Sequence, residues 1–192
     1  MSKKQEKIPS LEEGVRLILK KGDEKFKKDP KNLTPLFQSI FDSLLIIGHE
    51  VDLLPVKQVD PLSLESYDLV FLGSGIYAYA INRRVTSLIK KAPKLPQKFI
   101  YFYTHESPNP WPDAFKSIRG IIEQNNCEII GKFDCRGENL KMSEKNRQEA
   151  MKNLTHEVKQ DWEKQFQLVK GHPNAEDLEN AMKFAQSIIQ KL

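Results

Sequence analysis

From Thr34 onward, short unbroken apolar runs alternate with longer amphipathic stretches, an order that few folds accommodate. The clearest run is Leu69-Val70-Phe71-Leu72, within residues 68–74, and it is cut off by Gly73-Ser74-Gly75. A continuous apolar run bounded by turn residues suits a strand buried on both faces. Residues 98–104 (KFIYFYT) make a second such strand and residues 128–133 a further one. Residues 51–56 also read as a strand, and Pro55, which cannot donate to a ladder, places it near an edge. Between the strands lie helices. Thr34 as N-cap and Pro35 at the first helical position start one, with Leu36, Phe37, Ile40, Phe41 and Leu44 on its apolar face and Gly48 as its stop. Residues 82–92 and 113–124 give two more. Asn174 caps a last helix, with Asp177 in the capping-box position. Residues 138–171 carry Met151, Leu154, Val158, Trp162 and Phe166 at spacings of three and four, which predicts one amphipathic helix. Strands and helices in this alternation predict a parallel sheet covered on both faces, with ligands beyond the carboxyl ends of its strands.

The stretch before Thr34 has a different character. Ser10 and Glu13 form a capping box, and Leu11, Val15, Ile18, Leu19 and Phe26 fall near helical spacing, so a helix is expected there. Leu17-Ile18-Leu19 is also a continuous apolar run, which leaves a short strand over residues 15–19 as the competing expectation. Residues 1–33 are therefore read as a basic, helical N-terminal segment and residues 34–192 as the domain proper. Charge follows the same division. Residues 1–31 hold ten Lys/Arg against six Asp/Glu, and the rest of the 192-residue chain balances at 20 against 20. The leading lysines are interleaved with Glu12, Glu13, Asp23 and Glu24, which describes a solvated mixed-charge face, not a nucleic-acid stripe. No apolar stretch approaches the roughly 20 residues that span a bilayer, and no apolar segment of signal-peptide type follows the basic start. Cys127 and Cys135 match no disulfide framework or metal spacing and suit a reducing compartment. These features predict a soluble cytoplasmic protein with no membrane or nucleic-acid partner, no metal and no catalytic triad.

Two loops at strand ends could carry chemistry. GSGIYAY, residues 73–79, combines glycines, which permit close approach of a ligand to the main chain, with two tyrosines that offer flat apolar faces. A flat aromatic cofactor and a tight turn with packing tyrosines both account for it. His105, Glu106 and Trp111 share the next loop, where a histidine and a carboxylate could do acid–base work or merely stiffen an exposed turn. His172, in Gly171-His172-Pro173, is expected in a turn before the last helix.

The stretches GHEVDLLPVKQVDPLSLESYDLVFLGSGIY (residues 48–77), KFIYFYT, NNCEIIGKFDCRGEN (residues 125–139) and GHPNAEDLENAMKFAQSI (residues 171–188) together resemble the flavodoxin-like family. The resemblance covers most of residues 34–192 and implies a three-layer α/β sandwich around a five-stranded parallel sheet that binds FMN at its strand ends. It implies ring contacts from Gly73, Ser74, Ile76, Tyr77 and Ala78 on one side and from Thr104, His105 and Glu106 on the other, with Trp111 beside them. The family's first strand and its hydroxyl- and glycine-rich phosphate loop have no clear counterpart. Asp29-Pro30-Lys31-Asn32-Leu33-Thr34 stands in that place, and only Asn32 and Thr34 echo the pattern. The first strand is thus expected to be degenerate or replaced by the N-terminal helix.

The resemblance implies an electron-transfer flavoprotein or small flavin-dependent reductase, with a redox partner protein or a small-molecule acceptor. Loss of the phosphate loop leaves a second expectation: a diverged flavodoxin fold without FMN, serving as an interaction or regulatory module. An uncovered sheet edge in either case favours homo-oligomers.

Overall fold

The computed structural model describes residues 15–20, 35–46, 51–77, 79–107, 112–138 and 143–190. Its centre is a six-stranded sheet built from β1 (Val15–Lys20), β2 (Val51–Pro55), β3 (Tyr67–Tyr77), β4 (Ala80–Ile81), β5 (Lys98–His105) and β6 (Glu128–Arg136). The order is β2-β1-β3-β5-β6, with the short β4 folded back on the end of β3. The β3–β5 and β5–β6 pairs are parallel, as the strand–helix alternation demands. Pro55 ends the edge strand β2, where its missing N–H costs no ladder bond on the open side.

Residues 15–20 correct the helical expectation for the N-terminal segment. They form a strand lying between β2 and β3 and antiparallel to both. Leu17 stands opposite Leu53 on one side and Phe71 on the other. Without β1, two strands would each present a row of unpaired N–H and C=O groups, and those ladders are worth more than the weak helical periodicity of this glycine-flanked stretch. The sheet is therefore parallel except at β1 and at the short hairpin strand β4, and the apolar run 17–19 belongs to the sheet. The remainder of residues 1–33 lies outside the described residues.

Side chains along each strand alternate between two cores. On one face, α1 (Pro35–Ile46) and α6 (Ala175–Ile189) cover Leu69 and Phe71 of β3 and Ile100 and Phe102 of β5. On the other, α2 (Arg83–Lys91) and α3 (Lys116–Gln124) cover Val70, Leu72, Phe99 and Tyr101. Strand β5 is buried from Phe99 to His105, which explains why its sequence shows no polar alternation. At Gly73 the first core leaves no room for a side chain. A Cβ there would lie 2.3 Å from both Phe102 and Phe37, whose rings meet edge to face with centroids 4.5 Å apart.

The C-terminal part departs from a single amphipathic helix. Thr155 accepts a hydrogen bond from the Val158 N–H and caps a new helix, so the stretch divides into α4 (Glu144–Met151) and α5 (His156–Val169). Val158 and Trp162, expected to point inward, are instead 42% and 39% exposed. Before α6 the capping box forms as expected from Asn174 and Asp177, and His172 sits in the preceding turn with Nδ1 2.6 Å from the Asp177 carboxylate. Gly171, at φ +77, donates its N–H to the Glu138 carboxylate, and the Glu138 N–H donates to the His172 carbonyl. These two bonds fix the start of α6 to the end of β6.

Burial raises the pKa of Tyr101 and Cys135 well above the usual 10.0 of a phenol and 9.0 of a thiol. At Tyr101 the neighbouring Cys127 adds to the effect, and at Cys135 the carboxylates of Asp177 and Asp134 do. Because the folded values exceed the unfolded ones, the stabilisation is fully present below about pH 9 and is lost as pH rises. Denaturant unfolding should therefore give level stability from pH 7 to 8. Above pH 10 it should fall by about 1.4 kcal/mol per pH unit for each group still protonated in the fold. Unchanged stability at pH 11 would contradict the burial of both groups.

Candidate functional site

The carboxyl ends of β3 and β5 lie side by side, with Ser74 opposite Tyr103 and Gly75 opposite Thr104. The chain leaves β3 through a tight hairpin in which Tyr77 pairs with Ala80 and Ile76 with Ile81. Tyr79 stands at its tip with φ +69 and is 68% exposed. A tyrosine in the left-handed region carries a backbone cost of about 1–2 kcal/mol. The two-residue turn between Tyr77 and Ala80 is of the kind that calls for positive φ at its centre.

The residues behind the hairpin hold it in place. Ser74, buried on the α2–α3 side, donates to the Gly75 carbonyl at 2.6 Å and accepts from the Asn82 N–H at 2.9 Å. Asn82 then caps α2 through the Arg84 N–H, and the Ile81 N–H donates to the Ala114 carbonyl, tying the hairpin to the turn before α3. Gly73 is occupied by core packing, so its missing side chain serves Phe37 and Phe102. Ile76 is half-buried against the second core. Tyr77 is placed by its backbone at the end of β3, whereas Ala78 lies outside the described residues.

Across the gap, Thr104 is buried on the α1–α6 side and His105 on the other. The His105 ring reaches Asp134 through Nε2 at 3.1 Å and the carbonyl and hydroxyl of Ser107 through Nδ1 at 2.9 and 3.1 Å. The Gly137 N–H donates to the His105 carbonyl. His105 is thus a post that fixes the turn after β5 onto β6, and its side chain points away from solvent. Glu106 follows it and is exposed. Replacing Asp134 with Asn keeps the shape but removes the charge from the bond to His105. With Asp134 31% exposed, the loss should be about 1 kcal/mol in urea unfolding, with faster amide exchange at Glu106 and Ser107. Exchange rates equal to those of the unaltered protein would contradict the role assigned to the post.

The structure therefore brings Gly73, Ser74, Ile76, Tyr77, Thr104, His105 and Glu106 to the carboxyl ends of two adjacent central strands. Asn32, Thr34 and Trp111, like Ala78, lie outside the described residues. Asp134 was not singled out from sequence and could have been found from the expected β5–β6 pairing. Tyr79 reads as one of two tyrosines with a flat face, but its left-handed backbone has no sequence signature.

The chain matches the model of the flavodoxin domain over residues 32–186 and belongs to that family. It is 27% identical over 164 residues to the uncharacterized protein MJ0298 of Methanocaldococcus jannaschii, a match that covers 83% of this chain and 91% of the relative. The crystal structure of oxidised flavodoxin 1 from Bacillus cereus superimposes with a TM-score of 0.53 over 87% of this chain and 95% of that one, at 14% identity, which establishes the shared fold. Among the described residues no helix is long and apolar enough to cross a membrane.

Proposed function

We propose that this flavodoxin-family chain binds FMN at the carboxyl ends of β3 and β5 and serves in electron transfer. It would act as a carrier that docks on a redox partner protein or as a small reductase for a small-molecule acceptor. The observation that supports this most is Tyr79, an exposed aromatic ring carried at positive φ at the strand end where an open α/β sheet places its ligands. Bound FMN would supply the redox chemistry. The chain's own residues would supply the frame. Tyr79 would offer a face for the flavin ring, and the backbone of residues 74–77 would line one side. Ser74 and His105 would hold the two loops apart, and Glu106 would border the other side. Asn32 and Thr34 remain our candidates for the phosphate half of the ligand, together with the start of α1. The free thiols Cys127 and Cys135 suit a reducing, cytoplasmic setting.

A specific feature favours a second function. Pro35 removes one N–H donor from the first turn of α1, where a phosphate cradle would draw on every donor available. A chain that has lost FMN would keep the fold as an interaction module. Gel filtration after incubation with excess FMN distinguishes the two. Electron transfer requires about one flavin retained per chain, and after reduction with dithionite that flavin should pass electrons to cytochrome c or to benzoquinone. A colourless protein peak would overturn the flavin assignment.

A further inference from the structure

Helices α4 and α5 and the turn after β5 enclose a groove of about 190 Å³, lined by Glu106, Ser107, Arg147, Trp162, Gln165 and Phe166. Arg147 is only 8% exposed, and its guanidinium sits over the Phe166 ring with Cζ 3.0 Å from the centroid. Its Nη1 has no hydrogen-bond partner among the described residues. Arginine stays protonated at every pH a protein meets, so burial cannot neutralise it as it can a lysine or a glutamate. The aromatic face beneath offsets part of the lost hydration. Nη1 is left unmatched, and buried polar groups are nearly always matched. In a groove open to solvent, the partner that fits it is an anion arriving from outside.

The other lining residues narrow its chemistry. Trp162 stands four residues before Phe166 on the same face of α5, so indole and phenyl form one wall. The groove is small beside the 300–1,000 Å³ of common ligand sites, which limits the occupant to roughly a single ring. Glu106 at the rim opposes a second negative charge. Carboxylate geometry suits the planar edge of a guanidinium, and the Gln165 amide offers a further donor. The geometry points to a binding site for a small, flat monocarboxylate, with Arg147 taking the carboxylate and the Trp162–Phe166 wall taking the ring. It shares only Glu106 with the flavin site and does not depend on FMN binding.

Calorimetric titration of the full chain with benzoate, benzamide and acetate tests it, with and without saturating FMN. Saturable benzoate binding at one per chain is expected, at least tenfold tighter than benzamide or acetate. Arg147→Met should weaken benzoate at least tenfold. It should also raise the thermal midpoint of the ligand-free protein, because it removes an unmatched buried charge. Trp162→Ala, at a half-exposed position, should keep the fold by circular dichroism and also weaken benzoate at least tenfold, and it decides the matter if Arg147→Met does not fold. Absence of saturable benzoate binding, equal binding of benzamide or acetate, or unchanged affinity in either folded variant would overturn the site. Benzoate binding that persists in a protein unable to take up FMN would uphold the site while the flavin assignment fell.

Discussion

Replacing Gly73 with alanine should destabilise the protein by about 3 kcal/mol or more, the upper range for overpacking a core. The new methyl would sit 2.3 Å from ring atoms of both Phe37 and Phe102, far inside contact distance. All three residues are buried against the first core, and the two rings pack on each other, so neither can withdraw without opening a gap elsewhere. For a chain of this length the midpoint of thermal unfolding should fall by about 6–12 °C. Adding Phe37→Leu should restore part of the loss, a coupling that a double-mutant cycle would read directly. A neutral Gly73→Ala substitution would contradict the packing described here. It would also return Gly73 to the role suggested by its sequence, that of a glycine admitting a ligand.

Tyr79→Gly should have effects of opposite sign on binding and on folding. Glycine adopts positive φ without a Cβ penalty, so stability should be unchanged or slightly higher. Loss of the aromatic face should weaken FMN by about tenfold or more, by analogy with the 1–3 kcal/mol that base–aromatic stacking contributes in nucleic-acid sites. Fluorescence titration with FMN and urea unfolding of the same preparation measure the two effects. Lower stability with unchanged FMN affinity would make Tyr79 a packing residue.

The order of elements was legible because it is local. Apolar runs of one length and helical spacing of another place β2, β3, β5, β6, α1, α2 and α6 close to where they lie. Pro55 correctly marked an edge. Residues 15–20 were not legible, since a six-residue stretch carries too few periods to separate strand from helix. What decides it is the pair of ladders that β2 and β3 offer from far along the chain. The reversed direction of β1 is likewise a property of the sheet as a whole. Residues 138–171 misled for a different reason, because Thr155 interrupts a periodicity that otherwise continues through it.

At the candidate site, the sequence shows two loops at neighbouring strand ends but not the division of labour within them. Gly73, Ser74 and His105 were read as ligand contacts. Their side-chain positions are explained by a ring pair, an N–H of the next helix and a carboxylate on the next strand. Such residues look identical in sequence to binding residues, since both require a small or polar group at a strand end. Arg147 shows the reverse: nothing in its neighbourhood separates it from the many solvated basic residues until the Phe166 ring is placed beneath it.

The central claim, that this member of the flavodoxin family holds FMN, is tested most directly by titrating the purified protein with FMN and with riboflavin while following the quenching of flavin fluorescence. Quenching that saturates at one FMN per chain, with riboflavin bound at least tenfold more weakly, is the predicted result, because the phosphate should gain charge-assisted contacts that riboflavin cannot make. Absence of quenching with either flavin would contradict the claim.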